Sequence, residues 1–282
     1  MSKSSAGRRR QIRALFNIED RLRLDSAWQL EYDSRFLDAK KIVADIPLIH
    51  VLGRPRSSTG YTTAFWELVR NDGELDSSFF NHKTRDAEAA LGMPRCVYFY
   101  AGKSFPVSGS VALAFGPEID HDAAGTAAPF DTGGLVAGWI NAPSWASLSD
   151  RIDYGKESII PADEWREEFR IFVAAFFGPL RTYVQGLRPY KPDPDGVFEF
   201  PTNSWRAWTF ERHLSRAQKI RGAIKWCAPP PVMRAYHKSM RTSLSGSDVL
   251  SEFLARAISP RGDYDYGDRL EEWVQSTCFR EP

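Results

Sequence analysis

The chain has 282 residues, 43% of them hydrophobic and 13% aromatic, which excludes the aromatic-poor, charge-rich make-up of a disordered chain. Lys and Arg number 37 against 36 Asp and Glu, so no global field draws the protein to nucleic acid or anionic lipid, and such binding would need a local patch. Three cysteines at wide spacing, Cys96, Cys227 and Cys278, exclude a disulfide framework or structural zinc site, and with no apolar leader or membrane-length run a reducing cytoplasm is the expected compartment.

Length and composition predict one α+β domain over residues 11–282, after a small, polar, basic tail at 1–10. Residues 12–44 space their apolar side chains at helical intervals and are expected to form one or two amphipathic helices that pack on a sheet. Ile46 to Leu52 is a short apolar run closed by Gly53 and Pro55, a buried strand carrying one polar residue, His50. Residues 62–70 read as a helix stopped by Asn71-Asp72-Gly73, and a second short helix is expected around Arg85 to Leu91.

Cys96 to Tyr100 and Ser110 to Phe115 are strands by their aromatic and β-branched content. Residues 120–141 are rich in Asp, Gly, Ala and Thr and read as a long irregular loop. Glu164 to Phe177 places Trp165, Phe169, Phe172 and Phe176 on one helical face, with acids in the first turn and Gly178 at the end. Ala207 to Glu211 and Gly222 to Trp226 are expected strands. Residues 230–282 read as short helices, the clearest at Asp248 to Ile258.

Chemistry-bearing motifs are sparse. The five histidines, His50, His82, His121, His213 and His237, show no metal-ligand spacing. Asp120-His121-Asp122 is expected to be solvated polarity rather than a cation site. Asp131-Thr132-Gly133 matches the aspartic-protease tripeptide, but no second copy supplies the partner carboxylate, and the glycine pair predicts a tight turn. Cys96 and Cys227 sit in apolar runs where a buried, inert thiol is the default. No nucleophile elbow, P-loop or dinucleotide fingerprint is present.

Two polar residues inside apolar strands remain. His50 must satisfy its ring nitrogens in a buried setting, and strand ends beside Gly/Pro loops are places where ligands approach. Glu211 ends an aromatic run containing Trp205, Trp208 and Phe210, where a carboxylate is partly desolvated. The plainer alternatives are a hydrogen-bonded core histidine and a strand-end glutamate paired with Arg206 or Arg212.

In their order these elements resemble the ADP-ribosyltransferase fold, most of all its DNA-targeting DarT branch, over roughly residues 46–228. The resemblance is carried by Leu48-Ile49-His50-Val51, by the helix from Ala64 running into Asp72-Gly73, and by His82-Lys83-Thr84-Arg85. The strands Val97-Tyr98-Phe99-Tyr100 and Val111-Ala112-Leu113-Ala114-Phe115 follow in family order, and Trp208-Thr209-Phe210-Glu211 precedes a final strand. It implies an antiparallel or mixed split sheet with flanking helices, and NAD as substrate, with no metal. Glu211 would stabilise the positive charge that develops on the ribose, by the logic of glycosidases. His50 would hydrogen-bond the cofactor, Arg85 would clamp its phosphates, and Tyr98 or Tyr100 would stack on the nicotinamide. Glu199 competes for the carboxylate role.

The resemblance thus implies transfer of ADP-ribose to a macromolecule, nucleic acid or protein, in a toxin or antiphage effector, with an inhibitory partner protein as a further implied partner. The alternatives are an NAD glycohydrolase and a non-catalytic binding protein that uses the aromatic strands and the 120–141 segment as a recognition surface. The enzyme readings require His50 and Glu211 on one face of the sheet, within a cofactor's width of each other.

Overall fold

In a computed structural model, the structure describes residues 43–51, 72–76, 82–103, 112–138, 147–178, 180–185 and 209–227, with 273, 274 and 276. The helices expected at 12–44, except for residues 43 and 44, those at 62–70 and 248–258, the basic tail at 1–10 and the competing Glu199 lie outside these residues. The described strands are β1 (Leu48–Val51), β2 (Glu74–Leu75), β3 (Val97–Ala101), β4 (Ala112–Phe115), β5 (Thr126–Ala128), β6 (Ile160–Pro161), β7 (Glu211–Leu214), β8 (Gln218–Lys219) and β9 (Lys225–Cys227). The helices are α1 (His82–Leu91), α2 (Thr132–Val136), α3 (Leu148–Glu157), α4 (Trp165–Phe176) and α5 (Leu180–Val184).

Seven strands form one sheet in the order β6-β5-β7-β3-β1-β4-β9, and β2 pairs with β8 apart from it. Every pairing among the described strands is antiparallel. The fold is therefore α+β, built on an antiparallel sheet with flanking helices. The ladder between β1 and β3 joins only Leu48 to Ala101 and Ile49 to Tyr100. On either side, β1 stays paired with β4 out to Val51, and β3 with β7 back to Val97.

One face of the sheet is closed by an aromatic cluster. Trp165, Phe169, Phe172 and Phe176 are all buried on α4, as their spacing predicts. Phe169 lies 5.1 Å from the rings of both Tyr183 and Phe210, and Phe172 lies 5.7 Å from Phe210, all within the range of favourable ring pairs. Each such side chain contributes about 1.5–3 kcal/mol of burial. Gly178, at φ 72°, ends the helix and donates its amide to Val173, a left-handed cap that glycine adopts without steric penalty. The other face meets α1, α2 and α3, where Gly155 of α3 leaves the room that Leu91 and Leu135 fill.

Three expectations are corrected. The segment expected at 120–141 is not an irregular loop over its described part, 120–138: after a 3₁₀ turn at Pro117–Ile119 it supplies β5, an interior strand between β6 and β7, and then α2. Ala127, Ala128, Phe130 and Thr132 are buried, so the segment is core rather than recognition surface at those positions. Short, small-residue strands lack the hydrophobic alternation that makes a strand legible. In the described part of the strand expected at Ala207–Glu211, regular pairing begins at Glu211, because Tyr183 Oη accepts the Phe210 amide and Phe210 O accepts the Ala101 amide just before the ladder starts. The expected strand at Gly222–Trp226 is a 3₁₀ turn at Ile220–Gly222 followed by β9.

Candidate functional site: a buried carboxylate and imidazole on β7

Strand alternation fixes which side chains meet. Tyr100 pairs with Glu211 and Tyr98 with His213 across β3 and β7, while Thr126 and Ala128 of β5 pair with His213 and Glu211 from the other side. These six residues share one face. Phe99 and Arg212 belong to the opposite face.

Glu211 and His213 are 2% and 0% exposed. Glu211 Oε2 accepts two bonds from Thr132, one from its amide and one from its hydroxyl, each 2.9 Å long. His213 Nε2 lies 3.1 Å from the same oxygen, and its Nδ1 lies 3.0 Å from Thr126 Oγ1. Oε2 is already the acceptor of both Thr132 bonds, so Nε2 donates to it, and the neutral ring's Nδ1 accepts from the Thr126 hydroxyl. Burial, with the nearby Arg212 charge, pushes the His213 imidazole down to about 3 and keeps it neutral. The Tyr98 ring sits edge-on to His213 at 4.8 Å. Glu88 of α1, itself buried, accepts the Cys96 amide and bonds the Tyr98 hydroxyl, and burial raises its carboxyl above the usual range.

Asp131-Thr132-Gly133 thus has a different use from the tight turn expected of it. Asp131 caps α2 by accepting the Gly134 amide at 2.6 Å, and Thr132 opens the helix directly over Glu211.

On the opposite face Arg212 is 1% exposed and fully engaged. Its Nε donates to Asp120 at 2.7 Å, and its two terminal nitrogens donate to the carbonyls of Thr126, His213 and Asp122. Asp120 also accepts from Trp165 Nε1 and from Arg166. Asp122 accepts from the amide and hydroxyl of Ser215 and from the Ala124 amide, and these bonds draw its carboxyl below the usual range. The expectation of solvated polarity at Asp120-His121-Asp122 is therefore corrected: only His121 is exposed, and the two aspartates tie the segment before β5 to the back of β7. Among the described residues no group of three or more His, Cys, Asp or Glu is arranged to hold a metal.

His50 does not join Glu211. The register of β1 with β3 puts Ile49, not His50, beside Tyr100, so alternation turns His50 to the face of Phe99, whose ring lies 5.6 Å from the imidazole. Its Nδ1 lies 2.8 Å from Tyr98 O, so the imidazole donates to that carbonyl just where β1 and β3 stop pairing. Burial holds the ring at about 4, neutral. The pocket expected to contain both side chains on one face is not formed, because the two residues lie on different strands at opposite parity of one sheet. Of the expected residues, Tyr98, Tyr100 and Glu211 come together. The backbone of Arg85 lies in α1, and its side chain lies outside the described residues.

Of the two partners expected for Glu211, Arg212 projects from the other face, and Arg206 lies outside the described residues. Thr126, His213 and Glu88 complete the cluster without having been singled out for it, and Thr132 joins it from a motif expected to form a turn. The alternation Glu211-Arg212-His213 within a strand was the available signal for His213; the others are joined to it only by tertiary structure.

Two further buried groups stand apart from the cluster. Cys96 is an inert thiol, pushed up to about 12 by burial and neighbouring carboxylates. Lys103, just after β3, holds its Nζ 4.2 Å from the centre of the Tyr183 ring and 5.2 Å from that of Phe177, and burial pulls the amine down to about 7.

Scans against protein-family models, curated proteins and solved structures each returned no match. The site's own geometry therefore carries the functional argument. Among the described residues no helix is long and apolar enough to cross a membrane.

Proposed function

We propose that the protein transfers ADP-ribose from NAD to a macromolecular acceptor, nucleic acid or protein, as toxins and antiphage effectors do. The observation that carries this reading is the pairing of Tyr100 with Glu211 on the face that also bears Tyr98. A desolvated carboxylate flanked by aromatic rings is suited to a substrate whose departing group is a flat pyridine and whose transition state gathers positive charge on a ribose. In this reading Glu211 supplies the charge, Thr132 and His213 orient it, and Tyr98 or Tyr100 stacks on the nicotinamide. The shared face that the enzyme readings required of His50 and Glu211 is not formed, so this reading gives up His50 as a cofactor ligand and rests on Glu211 and its tyrosine neighbours alone.

A second reading, a non-catalytic interaction protein, is favoured by the opposite orientation of His50 and Glu211 and by the cover that α2 places on Glu211 through Thr132. The two readings separate on incubation of the purified protein with NAD, alone and with DNA, RNA or cell lysate, while nicotinamide release is followed. Release by the wild type and none by Glu211→Gln supports transfer. Release with no acceptor present identifies a glycohydrolase. No release under any of these conditions counts against both enzyme readings and in favour of the interaction protein.

A further inference from the structure

We propose that Thr126 is a nucleophilic hydroxyl that accepts acyl groups from small activated esters, with His213 as its base and Glu211 and Thr132 as positioning residues. The inference does not depend on NAD being a substrate.

The geometry is an unbroken relay. Thr126 Oγ1 lies 3.0 Å from His213 Nδ1, His213 Nε2 lies 3.1 Å from Glu211 Oε2, and Thr132 donates twice to that oxygen at 2.9 Å. A hydroxyl, a neutral imidazole and a carboxylate in that order are the parts of a nucleophile: the carboxylate fixes the tautomer and the ring's lone pair faces the hydroxyl proton, while the low basicity that burial gives the ring confines the reaction to esters with good leaving groups. The ring cannot turn away easily, being packed edge-on against Tyr98 at 4.8 Å and fully buried. Thr126, unlike the residues behind it, is only half-buried, so the relay runs from the interior to its most accessible member. Gly125 makes the approach possible, since a Cβ there would meet His213 O and the Arg212 guanidinium. Cross-strand pairing of Thr126 with His213 then sets the two side chains side by side.

The step balances without a co-reactant. Thr126 Oγ bonds to the ester carbonyl carbon as its proton passes to His213 Nδ1. The tetrahedral adduct collapses with loss of the alkoxide or phenoxide, which takes the proton from the imidazolium. Water, deprotonated in turn by His213, releases the acid and restores the threonine.

The test is incubation of the full chain with p-nitrophenyl acetate, followed by p-nitrophenolate release, intact mass and peptide mapping. One acetyl group on Thr126 is expected, with a burst that falls about 100-fold or more in Thr126→Val and His213→Gln. Thr126→Ser, a less hindered hydroxyl, should take the acetyl group at the same position and faster, which separates lost chemistry from lost folding. Nitrogen NMR of the His213 ring reads the positioning role: the proton sits on Nε2 in the wild type, and that preference is lost in Glu211→Gln. Acetylation confined to lysines, an unchanged burst in folded Thr126→Val, or an Nδ1 proton in the wild type would overturn the proposal.

Discussion

Thr132 holds Glu211 twice, through its amide and its hydroxyl, on the single oxygen Oε2. The two residues are 79 positions apart in the chain, and their contact joins the first turn of α2 to the first residue of β7. Thr132→Val keeps the amide bond and the shape but removes the hydroxyl donor from a buried carboxylate. It should lower stability by about 1–3 kcal/mol, while Thr132→Ser should stay within about 1 kcal/mol of the wild type. Urea denaturation of the two variants checks this, and equal midpoints would show that the hydroxyl contributes nothing.

His50 and Glu211 should separate by the kind of damage they cause. His50→Ala removes the bond to Tyr98 O and the packing on Phe99, an expected loss of about 2–4 kcal/mol. Nicotinamide release per folded molecule should not change. Glu211→Gln should abolish release while the fold persists. A His50 variant with wild-type melting and no release would return His50 to the site.

Stability should fall as the pH drops from about 7 toward 4. The ordinary histidine value is 6.5, and the folded values for His213 and His50 are about 3 and about 4. Between those limits the unfolded chain binds more protons than the native one, so the stabilisation is fully present above 6.5 and is lost as the pH falls toward the folded values. Each histidine contributes at most about 1.4 kcal/mol per pH unit in that window. Glu88, with its carboxyl raised from 4.5, opposes the slope, whereas Asp122, with its carboxyl lowered from 3.8, adds a further loss only below that value. Urea midpoints at pH 7 and pH 4.5 give the slope.

Arg212 should be among the least replaceable residues of the described core. Arg212→Met leaves Asp120 with one fewer cation and strips donors from three carbonyls at once, an expected loss of about 3–5 kcal/mol. Arg212→Lys should fare little better, since an ammonium cannot reproduce the planar fork. Denaturation midpoints, or loss of soluble protein on expression, measure this. A lysine variant of wild-type stability would show that charge alone suffices there.

The sequence by itself determined the class of the fold and several of its parts. Periodicity located α4, because Trp165, Phe169, Phe172 and Phe176 repeat at helical spacing, and aromatic content located β3. It also marked Glu211 as a desolvated carboxylate and Cys96 as an inert thiol, since both follow from apolar neighbours in the chain. It missed β5, where Thr126-Ala127-Ala128 has neither length nor alternation, and misread Asp131-Thr132 as a tight turn.

Only the tertiary structure decided what those residues do. Whether His50 and Glu211 share a pocket depends on strand parity across β1, β3 and β7. A one-residue difference in register sends a side chain to the other face, and nothing local to either residue records it. The same register that takes His50 away brings Thr126 and His213 together from positions 87 apart. A site assembled by pairing between distant strands is written in the ladder, not in the spacing of its residues along the chain.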